Sequence, residues 1–434
     1  MRAALAVLAL LVFAAPASAH TWSPPQTLSG TKGFVGPLSL AVSRDGRALA
    51  SWTYFEGQRN AARTGASLAS RAPGAEAFGA ARALIGRTPV TRASDAIGPV
   101  AYGRDGALVA IRSNSRLSVR SGHTDGTFGK ARTIRRGAGI SDVALAASDN
   151  GDAALAWFEN RGVRTDRVYV ALRRAHHAFG APRLMATGRI RDVDVAVGAS
   201  GDVLVVWNSP GKNLTRFKPR SRSSFLGVER LRSKDAFFTD LAPVVTSNGR
   251  AAVAWSSQFA SEGGEAGPTD FQVAVRPSGA QRFRTARLLE ELPPEGQQRE
   301  IDAVEGDTGR IVVGWSGSDG SNRRVKVAQF DGGLRFSPPQ IVSPAGEDAF
   351  FGDLAADRGT GALLATWNAG VDAPAAIGAA LADGGGDSFG PPEAATPDDD
   401  AIAGVAAFDP RTHRPTLVYS GGGRVARATT RSAG

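Results

Sequence analysis

DVALAASDNGDAALAWFENRGVRTDRVYVALRRAHHAFGAPRLMATG, residues 142–188, contains three short apolar runs, then a Phe, then a fourth and weaker apolar run. The same pattern recurs along nearly the whole chain after the first 20 residues, with a period of about 50 residues that is typical of repeat architectures. Helical periodicity is missing from the repeats, so each run predicts a β-strand rather than a helix.

Three anchors mark each repeat. The first is a tight turn that ends in Gly, and Asp-Gly or Asn-Gly at this point is typical of a hairpin turn. An aromatic residue follows six positions later, and a Phe opens the last run. The turn residues are Gly46, Gly106, Gly151, Gly201, Gly249, Gly309 and Gly361; the aromatic anchors are Trp52, Trp157, Trp207, Trp255, Trp315 and Trp367; the Phe residues are Phe78, Phe128, Phe179, Phe225, Phe283, Phe336 and Phe389.

The runs on both sides of the turn Gly are continuously apolar, as in residues 193–207 (VDVAVGASGDVLVVW). A strand that is apolar on both faces must be covered on both faces. Four such strands per repeat resemble the blade of a β-propeller, in which each blade is stacked between two others. The recurring Trp is then predicted to pack between blades, because a ligand cage would gather its aromatic residues on one face.

The number of blades follows from the two ends of the chain. Seven repeats are complete, and an eighth at residues 402–427 has Tyr419 in the Trp position but no fourth run. The segment TWSPPQTLSG (residues 21–30) closely matches FSPPQIVSPAG (residues 336–346), with Trp22 in the Phe position. We therefore predict an all-β, eight-bladed propeller of four-stranded antiparallel blades, whose last blade is closed by the N-terminal strand so that no edge is left bare at the joint.

Residues 1–19 (MRAALAVLALLVFAAPASA) have the features of a secretory leader: one Arg, a short apolar run and an Ala-Ser-Ala cleavage site. Residues 20–434 then form one propeller domain. The sequence has no Cys, so thiol chemistry and disulfides are excluded. No later apolar stretch approaches the length of a membrane span. We expect a secreted monomer, extracellular or periplasmic and of bacterial type.

The net charge of +10 favours anionic partners, although a basic composition bias would give the same value. The densest basic run extends from Lys212 to Lys234 and is expected on one outer blade edge. It could bind an anionic polymer through counterion release. Alternatively, it is a solvated edge whose charges prevent sheets from pairing.

Two insertions, at residues 54–64 and 258–270, fall between the second and third strands of repeats 1 and 5 and are predicted to be loops on one face of the ring. Long loops on one side of a rigid scaffold often bind ligands, and neutral drift is the alternative. The candidate ligand-binding residues in these insertions are Tyr54, Arg59, Glu262, Glu265 and Asp270.

Asp142, Asp192 and Asp240 each lie nine residues before a turn Gly, and Asp95, Asp302 and Asp353 come near the same point. These carboxylates are expected at the channel mouth on the same face as the insertions, where they could bind a polar ligand or Ca²⁺. The favoured alternative is that each Asp hydrogen-bonds turn amides or a neighbouring blade. No cofactor and no metal site are otherwise indicated.

Family motifs are incomplete. Residues 43–46 (SRDG) begin like the Asp box of sialidase-type propellers, but the Gly comes one place early and Trp52 lies too far along. Residues 355–367 (AADRGTGALLATW) resemble the Trp motif of eight-bladed quinoprotein dehydrogenases, except that Trp367 follows the Gly by six residues rather than four. Because both motifs are incomplete, neither indicates a functional family. The propeller fold does not indicate one either, since a shared fold does not imply a shared function.

Catalytic signatures are also missing from the sequence: no HExxH metal motif and no nucleophile elbow occurs. We therefore expect a non-catalytic protein that binds a protein or glycan through its loop-rich face. The alternative is a carbohydrate-active hydrolase or lyase with its site at the channel mouth, because a carboxylate pair cannot be recognised from sequence.

Overall fold

The computed structural model describes residues 21–432, apart from short gaps. The gaps are residues 31–32, 58–62, 90–95, 114, 123–126, 138, 163–164, 232–237, 261–265, 295–299, 331–334, 371–375, 386–387 and 397–400. The described chain forms eight four-stranded sheets in which every pairing between neighbouring strands is antiparallel. The predicted eight-bladed β-propeller is therefore confirmed.

Strand β1 (Gln26–Thr27) precedes seven blades of consecutive strands. Blade 1 contains β2 (Phe34–Val42), β3 (Ala48–Glu56), β4 (Arg63–Arg71) and β5 (Arg82–Pro89), and blade 2 contains β6 (Ala96–Gly103), β7 (Gly106–Ser113), β8 (Arg116–Ser121) and β9 (Arg132–Arg136). Blade 3 contains β10 (Ile140–Ala147), β11 (Ala153–Glu159), β12 (Asp166–Arg173) and β13 (Arg183–Gly188), and blade 4 contains β14 (Asp192–Val197), β15 (Val203–Ser209), β16 (Lys212–Lys218) and β17 (Glu229–Leu231). Blades 5 to 7 are β18 (Phe238–Val245), β19 (Ala251–Ala260), β20 (Ala266–Arg276), β21 (Arg287–Leu292); β22 (Ile301–Glu305), β23 (Ile311–Ser318), β24 (Arg323–Phe330), β25 (Gln340–Ile341); and β26 (Ala349–Ala356), β27 (Leu363–Ala369), β28 (Ile377–Ala382), β29 (Glu393–Ala394). Blade 8 contains β30 (Ala401–Asp409), β31 (Arg414–Gly421) and β32 (Val425–Thr430).

The N-terminal strand completes blade 8, because β1 pairs with β32 through Gln26 and Ala428. Trp22 forms an isolated bridge to Arg431, as Phe336 does to Phe330 within blade 6, so it occupies the Phe position of the repeat. The closing strand thus takes the place of a fourth strand that the C-terminal repeat lacks.

The side chain of Gln26 joins the closing strand to blade 1. Its Nε2 donates to the Phe78 carbonyl and its Oε1 accepts from the Phe78 N–H, both at 2.7 Å. Gln340, which follows the same Pro-Pro pair in blade 6, accepts from the Phe389 N–H of blade 7 at 3.3 Å. The joint between the chain ends therefore uses the same contact as an interior joint.

The core lies between blades. All six anchor Trp residues are at most 1% exposed and Tyr419 is fully buried in the same position. Each hydrophobic cluster joins residues of two adjacent blades, as where Trp315 packs with side chains of blade 5. A row of large aromatic side chains with this burial stabilises the stacking of blades, in agreement with the packing role predicted for the Trp row.

The topology gives the ring two faces. The "turn face" carries the tight turns between the first and second strands and between the third and fourth strands of each blade. The "loop face" carries the connections between the second and third strands and the links from one blade to the next. A 3-10 turn at Asp307–Gly309 is the one short helix of the described chain, and no described helix has the length and apolarity to cross a membrane.

The two insertions expected to be loops are largely extensions of β-hairpins. In blade 1, Glu56 pairs with Arg63, and in blade 5, Gln258 pairs with Thr269. The strands continue because backbone pairing satisfies polar groups that a loop would leave to water. Only residues 58–62 and 261–265 of the insertions lie outside the described structure.

Candidate functional site

The innermost strands of the eight blades contact one another around the whole ring and form the wall of a central channel. Alternate residues of these strands face the channel, because side chains along a strand point to opposite sides in turn. In β14, for example, Val193, Val195 and Val197 are buried between blades, whereas Asp192 and Asp194 retain partial exposure toward the channel.

Carboxylates line the channel in two rows on either side of the Trp positions. The upper row, toward the loop face, has Asp192 opposite Asn208 and Asp240 opposite Ser256. Asp142 lies at the same height, at a bulge of β10. Three of the six carboxylates predicted to approach the channel mouth are thus brought together on blades 3, 4 and 5.

The lower row lies one residue beyond the Trp positions, toward the turn face. It contains Asp194 of blade 4, Asp302 of blade 6 and Asp353 of blade 7. The two rows together make an acidic arc over blades 3 to 7. Asp95, which was expected near the same point in blade 2, lies outside the described residues.

Several of these carboxylates link neighbouring blades. Asp142 accepts a hydrogen bond from the Val193 N–H of blade 4 at 2.8 Å. Asp353 accepts one from the Ala406 N–H of blade 8 at 2.6 Å. The inter-blade role weighed from the sequence is therefore present at both positions, and it stabilises the ring by satisfying buried backbone N–H groups.

Burial is the main cause of raised pKa values in the arc. It raises the pKa of Asp192 to about 9, helped by a hydrogen bond to Asp142 and by the charges around it. Burial likewise raises the pKa of Asp194 to about 8 and that of Asp240 to about 6. These carboxyl groups retain protons at a pH where free aspartates would be ionised.

Asp302 and Asp353 form a second hydrogen-bonded pair of carboxyl groups, across the seam between blades 6 and 7. Burial and the neighbouring Asp302 carboxylate hold the pKa of Asp353 well above its usual range. Two carboxyl groups in contact repel each other when both are ionised, so such a pair shares a proton near neutral pH. Among the described residues, no group of three or more His, Asp or Glu side chains could hold a metal ion.

Exposed apolar side chains lie on the loop face of blades 8 and 1, which stand opposite the acidic blades in the ring. Phe34, which begins the innermost strand of blade 1, is 59% exposed, and its ring centroid lies 6.5 Å from that of Phe55. Ile402, near the start of the innermost strand of blade 8, is 50% exposed and lies at the height of the upper acidic row. The channel wall is therefore acidic on blades 3 to 5, and the loop face carries exposed apolar side chains on blades 8 and 1.

The remaining predicted site residues do not join this mouth. Tyr54 is 6% exposed, with its hydroxyl against Gly65, and Asp270 is 3% exposed within β20. Both are held inside the extended hairpins, because strand pairing turns them toward the protein rather than toward solvent. Arg59, Glu262 and Glu265 lie outside the described residues.

Sequence reasoning missed three residues of the mouth. Asp194 repeats Asp192 after two positions, so the period of a strand could have indicated that both face the channel. Phe34 and Ile402 stand in apolar runs like those of every other innermost strand. No signal in the sequence separates them from core residues.

The basic run from Lys212 to Lys234 does not lie on one outer edge as expected. Lys212, Arg216 and Lys218 belong to β16, the third strand of blade 4, and Lys218 is 5% exposed. Arg220 and Arg222 are exposed on the turn face. The run divides because the third strand is covered by neighbouring blades, whereas the turn that follows it reaches solvent.

The chain matches no protein-family model, and no curated protein matches it significantly in sequence. Among solved structures it is similar to the Dos1 propeller, with a TM-score of 0.53 and 12% identity over 94% of this chain and 95% of that one. The Hadza microbial sialidase Hz136 (TM-score 0.39, 10% identity, 94% and 95% covered) and a fucoside-bound Aleuria aurantia lectin mutant (TM-score 0.38, 15% identity, 74% and 99% covered) are more distant. The first likeness supports the propeller fold alone.

Proposed function

We propose that this chain is a secreted, non-catalytic propeller that binds a protein or glycan ligand through its loop face, at the channel mouth. The proposal of secretion comes from the leader-like residues 1–19. The proposal of binding comes from the channel wall, which concentrates buried carboxyl groups on blades 3 to 7, together with the exposed Phe34 and Ile402 on the loop face.

The observation that carries the proposal is the two-sided mouth. Phe34 and Ile402 expose large apolar side chains on the loop face of two adjacent blades, and exposed apolar surface often marks an interaction site. Asp142, Asp192 and Asp240 face them from the other side. A ligand that offers an apolar group to one side and hydrogen-bond donors or positive charge to the other would satisfy both.

Three observations favour a rigid binding site. The bulge at Asp142 sets this carboxylate toward blade 4, where it is held by the Val193 N–H. Asp240 accepts from the Leu241 N–H at 3.1 Å, which fixes its side chain on the wall. Preorganised polar groups lose little conformational entropy when a ligand binds.

A hydrolase or lyase at the same mouth is the second candidate. A carboxyl group such as Asp194, protonated near neutral pH and facing a cleft, is the type of residue that serves as a general acid. Glycosidases, however, keep two carboxyl groups about 5 to 9.5 Å apart around the substrate. The pairs Asp142–Asp192 and Asp302–Asp353 are instead in direct hydrogen-bond contact, which leaves no room for a glycosidic bond between partners.

A glycan array and a panel of immobilised peptides with basic and apolar residues would test the binding proposal. We expect the wild-type protein to bind members of one class, and Phe34→Ser or Ile402→Ser to weaken binding by about tenfold, since each loses a largely buried apolar contact with the ligand. Leu288→Ser is the matched control, because Leu288 is 57% exposed on the outer strand of blade 5. Equal binding by all variants would contradict the mouth as the site.

The same protein should be inactive against a panel of chromogenic glycosides. Turnover that is lost in Asp194→Asn but retained in Phe34→Ser would instead favour the hydrolase.

A further inference from the structure

A buried basic residue ends the third strand in four of the blades. The residues are Arg71 in blade 1, Arg173 in blade 3, Lys218 in blade 4 and Arg276 in blade 5. Each is at most 8% exposed and lies at the turn face. A buried cation is costly unless an anion or hydrogen-bond acceptors compensate it, so the partner of each residue shows how its seam is built.

Two of these seams supply the partner from the preceding blade. Arg71 donates to the Thr416 hydroxyl at 2.9 Å and lies 3.8 Å from the Asp409 carboxylate, both in blade 8. Arg173 pairs with Asp105 of blade 2 at 2.9 Å and also donates to the His177 carbonyl at 2.8 Å. A turn aspartate of one blade thus neutralises the arginine of the next.

The seam between blades 4 and 5 lacks this contact. Asp202 is the turn aspartate of blade 4, but its carboxylate accepts from the Arg220 N–H at 2.7 Å and from the Ser200 hydroxyl at 2.5 Å. Arg276 is 4% exposed, and its guanidinium bonds to none of the residues that the structure describes. The guanidinium carbon lies instead 3.8 Å from the centroid of the Phe217 ring.

Arg276 faces a cavity of about 290 Å³ that opens on the turn face, far more than the ~10–15 Å³ of accessible volume that one water molecule needs. Ser221, Arg222, Ser278 and Gln281 also line this cavity. The exposed side chain of Arg222 makes no hydrogen bond or ion pair within the described chain. Two arginines against the one carboxylate of Asp202 leave the lining positive.

We propose that the seam between blades 4 and 5 is an anion-binding site that takes the sulfate or phosphate group of a ligand between Arg276 and Arg222. Stacking on Phe217 fixes the plane of the Arg276 guanidinium and leaves its N–H edge for the anion, a geometry in which arginine binds such oxyanions through paired hydrogen bonds. The hydroxyls of Ser221 and Ser278 would supply further donors.

Burial lowers the pKa of Arg276, opposed by the charges of Asp202 and Glu229, and an anion in the cavity would offset the same cost of desolvation. The site lies on the turn face, opposite the channel mouth, so a test of this anion site does not depend on the ligand proposed for the loop face. It also gives a local role to Arg222 of the basic run.

Isothermal titration calorimetry with sodium sulfate and sodium phosphate, each compared with sodium chloride at equal ionic strength, would test the site. We expect saturable heat with sulfate or phosphate and none with chloride. Arg222→Ala and Ser221→Asp should weaken the affinity by about tenfold or more, because each removes or opposes a charge-assisted contact. Arg276→Gln should abolish binding.

Arg132→Ala is the matched control, since Arg132 is exposed on blade 2 and its loss removes the same charge at a distance. Ser221 and Arg222 are exposed, so their variants will fold even if Arg276→Gln does not. A sulfated heparin oligosaccharide and a phosphorylated peptide would then show which source of the anion binds more tightly. Heat from chloride equal to that from sulfate and phosphate, or an equal loss in Arg132→Ala, would overturn the proposal.

Discussion

The seam between blades 8 and 1 and the seam between blades 4 and 5 each have a buried arginine at the end of a third strand and an aspartate in the turn of the preceding blade, but they differ in how these charges are paired. Arg71 and Arg276 both end a third strand, both are buried, and both guanidinium groups lie over an aromatic ring. Arg71 reaches Asp409 of the preceding blade. Asp202 of blade 4 lies just before the second strand rather than at the end of the first, and its carboxylate accepts hydrogen bonds from Arg220 and Ser200 of its own blade rather than from Arg276.

The difference shows that one repeat position can serve two roles. At the seam that joins the two ends of the chain, the buried arginine is part of the closure, together with the contacts that Gln26 makes to Phe78. At the interior seam, Arg276 makes no hydrogen bond across the joint, and packing around Trp255 and Leu241 holds the blades together as packing around Trp52 does at the terminal joint. An arginine that is not needed for closure is available for a ligand.

The largest expected effect separates the two arginines by stability. Arg71→Ala should lower the free energy of unfolding by about 3 to 5 kcal/mol, because it leaves the Asp409 carboxylate buried without its cation. Arg276→Ala should change it by about 1 kcal/mol or less, since the loss of stacking is offset by removing an uncompensated charge. Thermal and urea unfolding of both variants, without added sulfate or phosphate, would measure the difference. Equal losses would mean that Arg276 is also a closure residue.

A second expectation concerns the pH dependence of stability that arises from the buried carboxyl groups of the channel wall. The folded chain retains protons on Asp192 and Asp194, whose pKa values are raised to about 9 and about 8. The unfolded chain releases these protons near pH 4. The stability that the two protonated carboxyl groups contribute is therefore fully present below that pH and is lost as the pH rises to about 9. The loss is up to about 1.4 kcal/mol per pH unit for each extra proton that the folded chain holds.

Asp192→Asn should flatten this dependence, because an amide donates to Asp142 without a titrating proton. The melting temperature of wild type should fall between pH 5 and pH 9 by more than that of the variant. Asp149→Asn is the control, since Asp149 is 58% exposed. A wild-type melting temperature that rises over this range would contradict the raised pKa values.

A smaller effect tests whether the terminal joint equals an interior one. Gln26→Ala removes two hydrogen bonds to Phe78, and Gln340→Ala removes the corresponding bond to Phe389. At about 1 kcal/mol for each partly buried hydrogen bond, Gln26→Ala should cost about 2 kcal/mol and Gln340→Ala about 1 kcal/mol. Hydrogen exchange of the Phe78 and Phe389 amides would show whether each loss stays local. A much larger loss for Gln26→Ala would identify the terminal joint as the weakest point of the ring.

The smallest effect concerns the exposed part of the basic run. The double variant Arg220→Ser, Arg222→Ser should elute from heparin at a moderately lower salt concentration than wild type, because it loses two contacts with the sulfate groups of heparin. Arg132→Ser combined with Arg136→Ser removes the same charge from exposed positions on blade 2. Equal shifts for both pairs would mean that heparin senses only the net charge.

The sequence predicted the fold well because its main signals are local and repeated. The Gly turns and the Trp row gave the number of blades, and the Pro-Pro-Gln match identified the closing strand. The two insertions were mistaken for loops, because whether a hairpin continues depends on pairing between segments that no local pattern reports. Tyr54 was placed at the surface for the same reason.

The candidate sites were predicted less completely. Asp142, Asp192 and Asp240 were brought to the channel as expected, since the repeat fixes their height on the wall. The unpaired state of Arg276 could not be predicted, because Arg and Asp occur at both the closed and the open seam. The distinction depends on which side-chain atoms hydrogen-bond to one another across the seam, and the spacing of residues along the chain does not report this.

A crystal structure determined after soaking with sodium selenate, with anomalous data at the selenium edge, would test the difference between the seams most directly. Selenate has the shape and charge of sulfate, so we expect an anomalous peak between Arg276 and Arg222 and none beside Arg71 or Arg173. An empty cavity between blades 4 and 5, or peaks of equal height at all three arginines, would contradict it.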